Sequence, residues 1–387
     1  MRNNPGESSA SRLLDVVHRD GPLSRAEATR RAGLARSAAG AAVESLTAAG
    51  LIRAGERAPL GSAGGRPSVV LEIADGGPFT VAVKVEPDGL RIAAYALGGR
   101  ALRAEHHAAD LVGLPPERLL ALLAERTAHT AGPAAGNCVG VAVAYPGMLD
   151  ETTGTVLTSL VLDRPGPAPL AEPLRELLAR TAPDLGRRAG GPFACLTRDA
   201  TATALGEYRA KGSGPGTLLV VSGERHGLGA ALVGSPDRAQ ALEIGHLSVD
   251  PVGLPCPCGF RGCLERYVGG PALLAALGFD PSAPLTPEAL RAAPPERVDE
   301  SADRLGTALT GVVNTLGPDE VVLTGMLATL AAARPERMTA ALDASVVARA
   351  RGVRWSAGTT PDACLLGAAD LAFRPFLSNP SPWTRGD

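Results

Sequence analysis

Apolar positions along the 387-residue chain change their spacing several times. In SSASRLLDVVHRD, Leu13, Leu14, Val16 and Val17 recur at short helical spacing, which predicts a first helix. LSRAEATRRAG follows, with Ser24 as N-cap and Glu27 three residues on, the pattern of a capping box that starts a second helix. Gly33 and Leu34 make a turn. ARSAAGAAVESLTAAG then predicts a third helix with Val43 and Leu46 inward, ended by Gly50. LIRAGE and GRPSVVLEI predict two strands of a wing around a glycine-rich turn. Helix, turn, helix and hairpin in this order suit a winged helix-turn-helix that binds DNA. A small helical protein-interaction module has the same outline.

Residues 54–77 are rich in Gly, Ala, Ser and Pro and predict the wing tip with a hinge behind it. Beyond them the period alternates between strand and helix. VAVKVEP and RIAAYAL read as paired strands around a turn at Asp88 and Gly89, and Leu114 to Ala131 as a helix. CVGVAVAYPG reads as a buried strand, and FACLTRDATATALGEYRA as a strand giving way to a helix near Asp199. TLLVVSGERHGLGAALV gives two short strands around a loop, and DEVVLTGMLA a strand ending in a loop. A final helix is expected from near Gly367. Repeated strand, loop and helix units imply α/β lobes with a cleft at the strand ends.

Charge divides the chain. Residues 1–72 carry ten arginines against seven acids, a net of +3, while the remainder carries a net of −5. A basic head on an acidic body points to nucleic acid at one end and argues against a generic polyanion binder. The start, MRNNPGESSA, lacks the apolar stretch of a secretory signal. The longest run without Asp, Glu, Lys or Arg, Thr127 to Leu149, is broken by Pro133, Asn137 and Pro146 and makes a poor membrane span. A cytoplasmic protein with no membrane partner is expected.

Three of the six cysteines fall within eight residues. His246, Cys256, Cys258 and Cys263 form H-x9-C-x-C-x4-C, and Pro255, Pro257, Gly259 and Gly262 can fold the loop so that the thiolates converge. In a reducing compartment this set favours metal over disulfide, and Cys3His is a closed tetrahedral set for structural Zn²⁺. Glu243 and Glu265 frame the loop. One imidazole nitrogen of His246 can hold metal while the other faces a ligand. Cys138, Cys195 and Cys364 lie in apolar contexts and read as core.

The segments EIGH and CPCGFRGCLE closely resemble the signature of the ROK family of repressors, open reading frames and sugar kinases. TRDATATALGE, VSGERHGLGAAL, VVLTGM, LLGAA and GGRPSVVLEI are similar to further family motifs, so the resemblance spans nearly the whole chain. It implies a winged helix-turn-helix on a two-lobed, sugar-kinase-like α/β body of the actin and hexokinase type, with a cleft between the lobes. The expected divisions are 1–76 for the DNA-binding head and linker, 77–196 for a small lobe completed by a C-terminal helix over 366–380, and 197–365 for a large lobe holding the metal loop and ligand site. The resemblance implies zinc at His246, Cys256, Cys258 and Cys263. It implies sugar hydroxyls on Glu243, His246 and Glu265, and places Asp199 at the kinase catalytic-base position, where a carboxylate deprotonates the attacking hydroxyl.

The departures are as informative. Where the family carries the phosphate motif DxGGT, this chain reads KVEPD over Lys84–Asp88. Pro87 offers no N–H, and Glu86 and Asp88 repel phosphates. Lys84 keeps a point charge suited to an anionic effector. SGERHGLG lacks the threonine of the kinase pattern. Arg198 stands beside Asp199 in place of asparagine, and Ser159 falls near the family's sugar-binding Asn-Leu pair. In the head, LARSAAG leaves Arg36 and Ser37 as the polar reach of the recognition helix. Arg25, Arg30 and Arg31 can grip phosphates, and Arg66 can enter a minor groove. The expected protein is a ROK-type transcriptional regulator, a repressor on a palindromic DNA operator, responding to a sugar or sugar-like effector as a homodimer or homotetramer, with kinase activity lost. An active ATP-dependent sugar kinase is the alternative.

Overall fold

The structure is a computed structural model that describes residues 8–55, 69–191, 193–212 and 216–384. Three helices open the chain: α1 (Ser9–Asp20), α2 (Arg25–Arg31) and α3 (Arg36–Ala48). With them stand β1 (Leu23–Ser24), β2 (Ile52–Gly55) and β3 (Val70–Ile73), an antiparallel sheet in the order β1-β3-β2. Ser24 caps α2 by accepting the Glu27 N–H at 3.2 Å. The Glu27 carboxylate departs from the expected capping box: it is engaged by Arg30 and Arg31. Both arginines thus face acids, with Arg31 also on Asp20 at 2.8 Å, while the Arg30 side chain stays largely exposed. In α3, Ala39, Ala42 and Leu46 point inward and Val43 is half-buried.

The body begins with β4 (Phe79–Glu86), β5 (Gly89–Ala96), β6 (Ala101–Ala108), α4 (Pro116–Ala131), β7 (Cys138–Tyr145), β8 (Met148–Asp150), β9 (Thr155–Thr158), β10 (Ala168–Pro169), α5 (Ala171–Thr181) and β11 (Ala194–Arg198). There follow α6 (Asp199–Ala210), β12 (Leu218–Glu224), β13 (Gly227–Ser235), β14 (Arg238–Leu242), α7 (Glu265–Val268), α8 (Gly270–Leu277), α9 (Pro287–Ala292) and α10 (Pro295–Leu316). The chain closes with β15 (Glu320–Thr324), α11 (Gly325–Ala333), α12 (Pro335–Ala344), α13 (Val346–Arg351), β16 (Arg354–Ala357), α14 (Ala363–Ser378) and α15 (Ser381–Thr384). Two five-stranded mixed sheets result, β11-β7-β4-β5-β6 and β14-β13-β12-β15-β16. Two sequence expectations are corrected. The strand at 320–324 passes directly into α11 rather than into a loop, and the last long helix starts at Ala363, four residues before Gly367. A small sheet, β10-β9-β8, was not foreseen.

Alternation along the strands builds the layers. In β4, Val81, Val83 and Val85 pack toward Leu119 and Leu123 of α4, while Ala82 faces Ala368, Ala369 and Ala372 of α14. Ala93, Ala142 and Ala144 join that small-residue face. In β12, Leu219 and Val221 join the outer core with Leu305 and Leu309 of α10, while Leu218 and Val220 meet Leu205 and Tyr208 of α6. Helices α6 and α14 are thus a central layer between the two sheets. Helix α1 joins this layer's far end: Leu13, Leu14 and Val17 share a core with Phe373, Phe376 and Leu377 of α14.

Two glycines let α6 and α14 touch backbone to backbone. A Cβ on Gly206 would lie 2.1 Å from the Ala363 carbonyl oxygen, and one on Gly367 would lie 1.9 Å from that of Ala202. Neither acceptor is a flexible tip, so one added methyl must part the helices. Gly367→Ala is expected to destabilise the protein by about 2 kcal/mol or more, measured as a fall in the urea midpoint of the full chain.

Candidate functional site

The carboxyl ends of β4, β11 and β12 converge on a cavity of about 510 Å³ between the sheets. β4 brings Lys84 and Glu86, the junction of β11 with α6 brings Arg198 and Asp199, and β12 brings Ser222 and Glu224. Glu243, His246, Cys258 and Glu265 form the opposite wall. Strand-end clefts of this kind are the usual ligand sites of α/β sheets.

The wall is a folded loop, not an open strand pair. Val249 and Gly262 pair through N–H to carbonyl at 2.8 Å, as do Leu264 with Leu247 and Cys256 with Phe260. Gly262 has φ +67, and a Cβ there would lie 1.6 Å from the Asp250 carbonyl oxygen, so this turn requires glycine. The turns gather His246, Cys256, Cys258 and Cys263 with their ligand atoms within 4.8 Å of one another. Cys258 and Cys263 Sγ are 3.6 Å apart, and Cys256 Sγ is 3.7 Å from His246 Nδ1. Sulfurs on one tetrahedral ion lie about 3.8 Å apart, so the set fits a four-coordinate metal. Burial, then the neighbouring thiols, push Cys263 up to about 12, so three thiolates together need a cation. The other His246 nitrogen, Nε2, lies 3.9 Å from Glu265 Oε2 at the cavity. The loop can therefore hold a metal on one side of the imidazole and present the other side to the cavity.

Of the candidate ligand residues, Arg198, Asp199, Glu243, His246 and Glu265 are brought together. Arg198 is closed onto Glu243 as an ion pair, while its own N–H donates to Glu151 at 2.9 Å. Ser159 is a correction. It is fully buried, donates to the Pro146 carbonyl at 2.6 Å, accepts from the Leu162 N–H at 3.2 Å, and does not line the cavity. Its neighbours Thr158, Leu160 and Val161 do. Arg25, Arg36 and Ser37 are exposed on α2 and α3, away from the cavity. Arg66 lies outside the described residues.

The phosphate-loop position behaves differently from its sequence reading. Lys84 is 4% exposed, and its ammonium sits 3.0 Å from Glu86 and 3.4 Å from Glu224 of the other sheet. Burial opposes its charge, but Glu224, Glu86 and Asp199 outweigh burial and hold its pKa above the ordinary value. An ammonium so committed is not a free point charge for an anion. Arg225 at 3.2 Å and His226 at 3.5 Å reach Asp88 across the same gap. These inter-sheet pairs were not read from the sequence, because one chain does not show which acid will face Lys84. The only hint was an acid, Glu224, inside SGERHG.

Asp199 opens α6, where its Oδ1 accepts the Ala200 N–H at 2.8 Å. Burial raises its pKa to about 6, against the pull of Lys84. Folded protein thus binds more protons than unfolded chain between about pH 4 and 6, so this group's contribution to stability falls as pH rises through that window. Asp199→Asn is expected to stabilise the protein by up to about 2 kcal/mol at pH 7 and by little near pH 4, in thermal melts across pH. Cys258→Ser is expected to lower both bound metal, by elemental analysis, and the melting temperature. Unchanged values would reject the metal centre.

A sequence profile described as the ROK family matches residues 114–374. Over 325 residues the chain is 23% identical to the xylose repressor of Bacillus spizizenii, covering 80% of this chain and 80% of that protein. It is 35% identical over 132 residues to a kanosamine kinase of Amycolatopsis mediterranei, covering 32% of this chain and 43% of that enzyme. Among solved structures, a ROK family transcriptional regulator homologous to the E. coli MLC protein superposes with a TM-score of 0.71 at 20% identity, covering 97% of this chain and 98% of that one. A ROK family glucokinase from Streptomyces griseus, in complex with glucose and AMPPNP, gives 0.60 at 22% identity, covering 76% and 99%. At these identities the two structures show the fold. Among the described residues, no helix is long and apolar enough to cross a membrane.

Proposed function

The chain belongs to the ROK family, and from that premise we propose that it is a cytoplasmic, DNA-binding transcriptional regulator, a repressor whose body binds a sugar or sugar-like effector. The head would be residues 1–76, a winged helix-turn-helix with Arg25, Arg36 and Ser37 toward DNA. The two lobes would be 77–196 with the last long helix, and 197–365. A homodimer or homotetramer would set two heads on a palindromic operator.

The observation that carries this reading is the split of the cavity. On one side Asp199, Glu243, His246 and Glu265 offer acceptors and an imidazole suited to sugar hydroxyls. On the other, Lys84, Glu86, Glu224, Asp88 and Arg225 are paired with one another where a kinase must receive nucleotide phosphates. Pro87 removes an N–H there, and the two glutamates and Asp88 oppose phosphate. Phosphoryl transfer needs that half, so the retained Asp199 is a sugar acceptor rather than a working base. Coverage points the same way: the regulator structure spans 97% of this chain, the glucokinase 76%. Zinc is the metal that best suits the Cys3His set.

Selection of duplex DNA from genomic fragments by the full chain tests the reading. Recovery of a palindromic site is expected, with Arg36→Ala weakening it by about tenfold in gel shift. Selection yielding no sequence enrichment would overturn it.

A further inference from the structure

Helix α6 has a second end. Asp199 faces the cavity at its start, and Arg209 stands ten residues on, about 15 Å along the axis. Arg209 leaves the last turn and reaches into the head. Its Nη2 donates to the His18 carbonyl of α1 at 2.8 Å, and its Nη1 pairs with Asp370 of α14. The His18 carbonyl lies in the last turn of α1, where its helical donor would be the N–H of residue 22. Residue 22 is proline and has none. Arg209 supplies that missing donor, and its charge suits the negative end of α1.

The His18 side chain completes the joint. It is 1% exposed, its Nδ1 accepts the Gly98 N–H at 3.0 Å, and its ring stands edge-on to Phe373 at 5.0 Å between centroids. With Nδ1 accepting, the neutral ring carries its proton on Nε2, which lies 3.3 Å from Asp370 Oδ1 and 3.1 Å from Arg209 Nη1. Gly99 clears the space: a Cβ there would lie 2.8 Å from Arg209 Nη2. Arg19 beside it bonds Asp237 at 2.6 Å, in the turn between β13 and β14. Four elements therefore meet at one point: α1 of the head, α14, the loop at 97–99, and α6. Of these, α6 also forms the floor of the cavity.

We propose that Arg209 is a positioning residue that couples the cavity to the head, with α6 as the rigid connection and the Arg209–Asp370–His18 cluster as its latch. The physical case has three parts. A twelve-residue helix transmits displacement along its axis better than it bends. The backbone contacts at Gly206 and Gly367 oppose sideways slip against α14. A mostly buried charge pair is held or broken rather than gradually weakened, because Asp370 without Arg209 keeps the His18 ring and the Arg19 charge but loses its closest cation. A change at Asp199 then reaches α1 through the Arg209 guanidinium at its last turn.

This inference rests on the regulator reading for its purpose, but its test needs neither DNA nor sugar. Hydrogen exchange with mass spectrometry is read on peptides covering α1 and α3 in the full chain, with Asp199→Asn as the perturbation at the cavity. In the native background Asp199→Asn is expected to change exchange in α1 by about threefold or more. In the Arg209→Gln background that response is expected to vanish. Asp370→Asn, which keeps an oxygen for both donors, serves as the second background if Arg209→Gln loosens the head outright, and the same loss is expected. A purely structural Arg209 would raise exchange in α1 yet leave the response to Asp199→Asn intact, which would overturn the proposal. So would a head that ignores Asp199→Asn in the native background. Failure of the DNA selection with this coupling present would instead reject only the regulator reading.

Discussion

The contact on which the molecule depends is the close approach of α6 and α14. Backbone meets backbone at Gly206 and Gly367, and a third close approach, at Gly140, sets α14 against β7. Small residues on the inner face of the first sheet, Ala82, Ala93, Ala142 and Ala144, are the price of bringing both helices between two sheets. Because the layer is shared, both sheets pack on it. The cavity lies at one end of that layer, and the buried joint with α1 at the other.

Electrostatics divides the cavity as packing divides the fold. A kinase of this architecture leaves its phosphate loops open for an anion. Here a buried ammonium and two glutamates fill that role internally, and a second set of pairs on Asp88 bridges the sheets nearby. Partly buried pairs are poor sources of net stability but discriminate strongly against like charge. The other side keeps its carboxylates and the imidazole, held by a loop whose turns and thiols leave little freedom. Under the proposed function, loss of one half and retention of the other is what distinguishes a sensor from a catalyst built on the same scaffold.

Much of this is legible in the sequence. Strand alternation in VAVKVEP and the glycine and proline spacing around the cysteines follow local rules, and both elements formed where expected. The resemblance located the cavity wall at Glu243, His246 and Glu265 because a motif binds residues that are neighbours in sequence. Ser159 failed for the opposite reason: its hydroxyl is consumed by Pro146 and Leu162, contacts that no spacing announces. Lys84 was recognised as a substitution, but its partner Glu224 lies 140 positions on, in another sheet. His18 and Arg209 were likewise invisible as a pair, since a helical pattern shows which residues turn inward and not which distant carbonyl lacks a donor. The last long helix begins at Ala363, after Asp362 in the left-handed region and with no side-chain cap, so no capping residue in the sequence marks its start.

Under the proposed function, a sugar in the body, without nucleotide, alters the hold of the head on DNA. The direct measurement is operator affinity of the full chain, titrated with neutral and amino sugars in the presence and absence of Mg²⁺-ATP. At least one sugar should shift the operator Kd by about fivefold or more, and Mg²⁺-ATP should change nothing. A shift that requires Mg²⁺-ATP, or an affinity indifferent to every sugar that binds by calorimetry, would contradict it.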